Sequence, residues 1–251
     1  MDLGTIFGMV IGIGGIVLGH VYEGGHIGSL VQGTAALIVF GGTFGATILS
    51  NSREDIKNAW INLKGTLVKG NRDHIERVSM EIIDSVKIVR KKSVLELEKR
   101  LDGFSDPFMT EVFRLAVDGI EVGRLKEIVE SRIELEEEKK LAAARVWNDA
   151  GGYAPTIGII GAVLGLIHVM SNLTDTAQLG KGIAVAFVAT IYGVGSANLF
   201  LIPLASKLKR RAEMDSNKKY MILEGALGML RGYSPLVVEE KLKTYLDHID
   251  A

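Results

Sequence analysis

The sequence predicts an all-α membrane protein: four transmembrane helices, a helical cytoplasmic domain inserted between the second and third, and a short helical cytoplasmic tail. Three observations carry this expectation. The 251 residues include 30 Gly, only 4 Pro and 24% charged side chains. With a mean hydropathy of +0.25, the chain is too apolar for an ordinary soluble protein and too charged to lie wholly in lipid. Its charge is also segregated: residues 1–50 hold no Lys or Arg and residues 152–204 hold only Lys181, so every other one of the 29 basic residues falls in 51–151 or 205–251. Finally, Leu3–Tyr22, Ile27–Leu49, Ala154–Leu173 and Ile183–Leu204 are apolar runs of the roughly 20 residues that span a hydrocarbon core, and strand-like alternation is absent.

The first two runs read as a hairpin, because no basic segment precedes the first and only Glu23, Gly24, Gly25 and His26 separate them; a cleavable signal peptide is excluded on the same grounds. Basic residues mark the cytoplasmic side of a membrane protein. That places both termini and residues 51–151 inside, leaving outer loops at 23–26 and about 174–182, too short for an extracellular domain. The expected organisation is a hairpin at 1–50, a cytoplasmic helical domain at 51–151, the second pair of spans at 152–204 and a cytoplasmic tail at 205–251. Zero cysteine agrees with a reducing compartment.

Helical periodicity continues beyond the second span. Ile56, Trp60, Leu63 and Leu67 recur at helical spacing, as do Ile75, Val78, Ile82, Val86 and Val89. "DGFSDPF" (102–108) breaks the pattern, and a further helix ends near Gly119. Residues 121–150 have no Pro and one Gly, which predicts a long helix aimed at the third span. After the fourth span, "KLKRR" (207–211) marks the inner boundary, as a topological anchor or a contact for anionic lipid. Two short amphipathic helices, about 214–231 and 235–249, are expected on either side of "GYSP".

Small residues repeat four apart on the third span (Gly158 and Ala162, Gly161 and Gly165), and the fourth carries Ala186, Thr190, Gly193 and Ala197. Such faces let helix backbones approach closely in lipid, within one subunit or between neighbours. Asp, Glu, Lys and Arg are missing from the interior of all four runs: Asp2, Glu23, Asp175 and Lys181 lie at edges or in loops. Proteins that move ions usually keep an ionisable group at depth. This chain therefore lacks the means for a carboxylate relay of its own; either nothing flows or a partner brings the carboxylate. Thr156 and Thr190 are candidates to hold an ion's water, although each hydroxyl can equally bond its own helix carbonyl. His168 and His20 lie near the outer ends of their spans and read as interfacial. Pro155 in the first turn of the third span and Pro203 in the last turn of the fourth read equally as helix punctuation.

The strings "APTIGIIGAVLGLIHVMSNL", "GIAVAFVATIYGVGSANLFLIPLASKLK" and "VRKKSVLELE", in that order and with the opening "MDLGTIFG", resemble the MotA/PomA family of flagellar stator subunits over essentially the whole chain. The resemblance implies a bacterial inner-membrane homopentamer around two copies of a MotB-type, peptidoglycan-anchored subunit whose single span supplies an aspartate. It also implies that ion flow turns the ring against the rotor switch protein FliG. By resemblance, Pro155 and Pro203 match the family's functional prolines, Thr190 its threonine beside the partner's aspartate, and Arg90 and Glu98 its rotor-contacting charges. Thr156 and Ala162 fall on the implied ion path, and Gly158, Gly161, Gly165 and Gly193 on packing faces. Taken as one helix, residues 90–98 would hold Arg90 and Glu98 about 12 Å apart, a dipolar patch for a partner of opposite pattern or a plain solvated face.

Sodium-type members resemble the chain at "TIYG" and "SANLF" but carry a threonine where Ala162 stands and an acidic residue near Gly152. A dehydrated sodium ion needs several oxygen ligands, so protons are the expected ion and sodium the alternative. Other readings are an ExbB/TolQ-like energiser, against which the hairpin at 1–50, free of Lys and Arg, argues, and a non-conducting scaffold. Neither a phosphate-binding loop, nor metal-ligand spacing among His20, His26, His74, His168 and His248, nor a nucleophile elbow is present. No enzyme activity, cofactor, metal or nucleic-acid partner is expected.

Overall fold

The computed structural model describes residues 3–66, 72–171 and 176–250. Leu67, Asp2, Asp175 and the start of the expected outer loop at 174–182 lie outside them. The described chain is helical, with no strand: α1 Leu3–Tyr22, α2 Gly33–Ser50, α3 Arg53–Thr66, α4 Arg72–Lys91, α5 Val94–Glu98, α6 Pro107–Val117, α7 Val122–Met170, α8 Thr176–Ser196, α9 Ile202–Leu230 and α10 Pro235–Asp250. Four helical stretches are long and apolar enough to cross a bilayer: Gly4–Tyr22, Ile27–Ser50, Val122–Met170 and Leu179–Leu230. The chain is therefore a multi-pass membrane protein. It divides into two compact units, Met1–Lys69 with Lys139–Lys209, and Gly70–Glu138 with Arg210–Ala251.

In four places the structure differs from the expected elements. The second span is not one helix from Ile27: a 3-10 turn at Ile27–Leu30 is followed by extended Val31 and Gln32, and α2 begins only at Gly33. The third span has no N-terminus of its own, because α7 runs unbroken for 49 residues and Pro155 sits in its interior. Pro155 has no N–H, so the Gly151 carbonyl loses its helical donor, a defect that membrane helices accept where neighbouring groups compensate. The fourth span passes into a π-helical turn, Ala197–Leu201, in which the Ile202 N–H bonds Ala197 O, and α9 then continues through Pro203 to Leu230. Widening to i→i+5 just before a proline lets the helix continue where an N–H is missing. The tail thus holds one separate helix, α10, and not two. Lastly, α4 stops at Lys91 and Ser93 is extended (φ −172°, ψ 169°), so Arg90 and Glu98 belong to different helices.

The polar unit has a core of its own, built from Val78, Ile82 and Val86 of α4, Met109 and Phe113 of α6, Leu125, Val129 and Ile133 of α7, Met221 to Leu223 of α9 and Leu242 of α10. Where α4 meets α9, a Cβ on Gly225 would fall 2.3 Å from Ile82 Cγ2. Asp106 joins three of these helices. Its carboxylate caps α6 by accepting from the Phe108 N–H (2.9 Å) and Met109 N–H (3.2 Å), with Pro107 at the first helical position. It also accepts from Lys218 Nζ of α9 (2.7 Å) and meets His74 Nε2 of α4 (3.3 Å). Burial pushes its pKa up, but the Lys218 bond and charge, the Met109 N–H and His74 outweigh burial and hold it below the usual carboxylate range.

Replacing Asp106 with Ala removes the nearer carboxylate of half-buried Lys218, leaving it Asp215 at 3.6 Å, and uncaps α6. Amide hydrogen exchange in α6 is expected to rise roughly a hundredfold, the equivalent of about 3 kcal/mol; unchanged protection would remove Asp106 from the account. Since its folded-state pKa is depressed, the wild-type contribution is complete above the unfolded value near about 4 and is lost as pH falls through the lower folded value.

Candidate functional site

The first unit is organised by one helix pair. From Ala154 to Val169, α7 lies against α8 along a ladder of small residues. A Cβ on Gly193 would fall 2.5 Å from Ala154 O, one on Gly158 2.9 Å from Ala189 O, one on Gly161 2.8 Å from Ala189 Cβ and one on Gly165 2.9 Å from Ala186 N. The facing glycine at 182 has Val169 Cγ2 at 2.6 Å from its own missing Cβ. Steps of three and four residues on both helices keep these positions on one seam, and the backbones touch because no side chain intervenes. The four glycines singled out in the sequence therefore pack within a single chain.

Against this pair lies α2. Ala35 and Val39 are fully buried with Val188 and Ala189, Ile38 Cγ2 lies 3.4 Å from the Gly161 Cβ position, and a Cβ on Gly42 would fall 2.7 Å from Ile157 Cγ2. Tyr192 closes the break before α2: its hydroxyl donates to Leu30 O (2.6 Å) and accepts from the Gln32 N–H (3.2 Å), while its ring stacks on Phe40 at 5.9 Å. Two backbone groups freed by the kink are thereby satisfied where water is scarce. In contrast, α1 carries large exposed apolar side chains, among them Phe7, Val10 and Tyr22, and meets the rest of its unit closely at Gly12, whose Cβ position is 3.0 Å from Leu199 Cδ2.

The predicted path residues occupy this unit. Pro155 and Ala162, seven apart on α7, are half-buried and share a face; Thr156 and Pro203 are exposed, and Thr190 is half-buried. The hydroxyl of Thr156 donates to Tyr153 O (2.8 Å) and that of Thr190 to Ala186 O (3.3 Å). Each keeps its oxygen lone pairs for an incoming donor or cation. The Thr190 backbone lies beside Gly158, whose Cβ position is 3.5 Å from Thr190 Cα. Ionisable side chains do not meet Thr190 on the helix ladder, and among the described residues no group of His, Cys, Asp or Glu is arranged to hold a metal.

Sequence reading passed over the hydroxyls of α2. Thr47 and Thr43 are both buried; Thr47 Oγ1 donates to Thr43 O (2.8 Å), whereas Thr43 Oγ1 has no hydrogen-bond partner among the described residues. Their spacing of four on an otherwise apolar helix was the available signal. Tyr192 was likewise visible only as part of a motif, because its partners lie about 160 residues away in the chain.

Arg90 and Glu98 lie in the polar unit. Both are exposed, on either side of the α4–α5 elbow, and neither has an ion pair or side-chain hydrogen bond among the described residues. Their neighbour Glu96 is engaged by Lys99 (3.2 Å) and Lys92 (3.9 Å). The Lys99 hydrogen bond and charge, followed by Lys92, lower its pKa. Among the described residues the elbow thus presents Arg90 and Lys91 as uncompensated cations and Glu98 as an uncompensated anion to solvent.

Comparison with known proteins follows the same lines. Residues 100–221 match the MotA/TolQ/ExbB proton channel family, and residues 6–92 match the family described as Motility protein A N-terminal. The chain is 32% identical over 247 residues to Motility protein A of Bacillus subtilis, covering 98% of this chain and 91% of that protein. Among solved structures, the MotAB structure of C. jejuni superposes with a TM-score of 0.91 at 30% identity, over 99% of this chain and 97% of that one. The flagellar MotAB stator complex of Bacillus subtilis gives 0.88 at 30% identity, over 98% and 96%.

The seam makes a sharp prediction. Gly193→Ala sets a methyl against the Ala154 carbonyl and is expected to lower the melting temperature of the purified complex, by the equivalent of about 2 kcal/mol. Gly180→Ala, where nothing lies within 4 Å, should be neutral or slightly stabilising. Equal effects would mean that the seam does not hold the unit together.

Proposed function

The chain belongs to the MotA family and is a flagellar motor stator subunit, and from that premise we propose that it forms the proton-bearing wall of a pentameric ring around a MotB-type partner. One observation carries this reading: the third and fourth spans pack through bare backbone, yet none of the four carries an Asp, Glu, Lys or Arg in its interior. The relay group must then come from a second polypeptide, and a single-span subunit with a membrane-embedded aspartate supplies it. Thr190, with its lone pairs available beside the Gly158–Gly193 contact, accepts a hydrogen bond from that carboxyl when protonated or from the water that delivers the proton.

Both termini and the polar unit face the cytoplasm of a bacterial inner membrane, in keeping with the segregation of basic residues. Protonation and release of the partner's carboxylate change the charge facing the ring at every step, and the ring rotates to re-establish the favourable contact. Pro155 and the π turn before Pro203 are the irregular backbone sites that take up the movement. Arg90 and Glu98 engage complementary charges on the rotor protein FliG, for which their lack of partners leaves them available. The proton is favoured over sodium because Ala162 offers no oxygen ligand on the Pro155 face.

The test is the swimming speed of cells in which this chain and its partner are the sole stator. Speed should be indifferent to sodium at fixed pH and abolished by a protonophore at fixed sodium; speed that tracks sodium would overturn the proton assignment. Glu98→Lys should reduce speed severalfold while the complex still copurifies, and undiminished speed would dismiss the elbow as the rotor contact.

A further inference from the structure

Where the fourth span passes into α9, the helix leaves two backbone carbonyls without a helical donor. In the π turn Ala197–Leu201 the Ile202 N–H bonds Ala197 O, and so does not serve Asn198 O, its partner in an α-helix. The next carbonyl, Leu199 O, would be served by residue 203, which is proline and has no N–H. No side chain among the described residues bonds either oxygen. Two successive acceptors are therefore open at one level of the membrane, a costly arrangement in hydrocarbon that persists where protein or water answers it.

A carboxamide stands at the same level. Asn198 is exposed, and the exposed apolar side chains Phe187, Ile191 and Val194 of α8 continue its face outward. It lies six residues before Leu204, about 9 Å inside the inner end of the span. Its Nδ2 donates to Val194 O at 2.9 Å, which leaves Oδ1 as an acceptor with no partner among the described residues. The turn is held from one side only: Leu199 seats on α1, its Cδ2 3.0 Å from the Cβ position of Gly12, whereas Asn198 and Phe200 are exposed. Thr190, Val194 and Asn198 follow at four-residue steps. The carboxamide is thus about 12 Å beyond Thr190 along the helix, toward the cytoplasm on the topology proposed above. Acyl chains offer these three oxygens no donor, and a cation held there would find no carboxylate in the spans.

We propose that the π turn is a water site on the inner side of the proton path, where Asn198 O, Leu199 O and Asn198 Oδ1 accept hydrogen bonds from a short file of water. The site presupposes the stator reading above, and it supplies the atoms that hydrate the path between the level of Thr190 and the cytoplasm. Water answers these oxygens because each needs an O–H donor, and a neutral ligand needs no counter-charge. A proton released by the partner's carboxyl passes to the nearest water and onward by exchange of O–H bonds. Each water that gains a proton gives another up, so the oxygens of the chain accept hydrogen bonds throughout and are never protonated. Asn198 is a positioning residue, acting on the proton through the water it holds.

Two measurements on the full-length chain with its MotB-type partner test this: proton uptake into energised cells, and solid-state NMR transfer of magnetisation from water to backbone carbonyls in the lipid-reconstituted complex. Asn198→Leu should lower uptake about fivefold, the effect of one lost hydrogen bond, while the complex still copurifies. Asn198→Ser, which keeps an oxygen, should restore most of it. In the wild type, water magnetisation should reach the carbonyls of Asn198 and Leu199 severalfold faster than that of buried Val188, and Asn198→Leu should slow it. Transfer equally slow at all three carbonyls would show a dry turn and overturn the water site while leaving the stator reading in place. Uptake by Asn198→Leu equal to wild type, or no recovery in Asn198→Ser, would do the same. Uptake that requires sodium would make the oxygens cation ligands and overturn the water assignment, and a wild-type complex that takes up no ion would overturn both readings. Should Asn198→Leu fail to assemble, water transfer in the wild type and in Asn198→Ser decides.

Discussion

The membrane unit depends on the distance between two backbones. Where α7 crosses α8, Gly158 and Gly193 let main chains meet with nothing between them, and Ala186 and Ala189 fill the adjoining steps with single methyls. In lipid, apolar side chains gain little by leaving one hydrocarbon for another, so association rests on contact density, and close main-chain approach maximises it. The seam then places what surrounds it: α2 seats Ile38 and Val39 on the pair, and Tyr192 ties the kink before α2 to α8. Thr190 is held half-buried beside the contact, not left on a mobile surface.

A wall without fixed charge has a mechanical consequence. On the proposed reading, with no Asp, Glu, Lys or Arg in the interior of the four spans, the affinity of the site is governed by the partner carboxylate that faces it. On that reading the chain contributes hydroxyl oxygens, shape and low dielectric, which strengthens the interaction of the partner's charge with the dipoles around it. Irregular backbone is concentrated in the same unit: proline inside α7, a π turn ahead of Pro203 and extended residues before α2. Each is a place where a helix changes direction without breaking, the property required of an element that moves repeatedly through one cycle.

Much of this was legible in the sequence, for physical reasons. Span positions followed from the length of apolar runs, and segregation of basic residues separated membrane from polar segments without any alignment. The seam glycines were visible because three- and four-residue spacing has one meaning on a helix. Helix ends were less legible. Apolar periodicity does not report whether α7 restarts at Ala154 or passes through Pro155, since a proline reads as a first-turn residue in either case. A π turn leaves no compositional mark, so nothing in the sequence shows that the fourth span and the first expected tail helix are joined through Ala197–Leu201. The break between Arg90 and Glu98 hinged on extended Ser93, and serine is compatible with either continuation. The Asp106 cluster was hidden for another reason: capping by "SDP" is local and readable, but Lys218 lies 112 residues away.

The central claim is that this chain supplies walls and a second polypeptide supplies the ionisable group. Proton uptake into energised cells tests it most directly, measured for this chain alone, for the chain with its MotB-type partner, and for the chain with a partner whose membrane-embedded carboxylate is changed to the amide. Uptake only in the second case is the predicted result. Conduction by the chain alone, at a rate matching the complex, would contradict the account and require a proton carrier among residues that it treats as neutral.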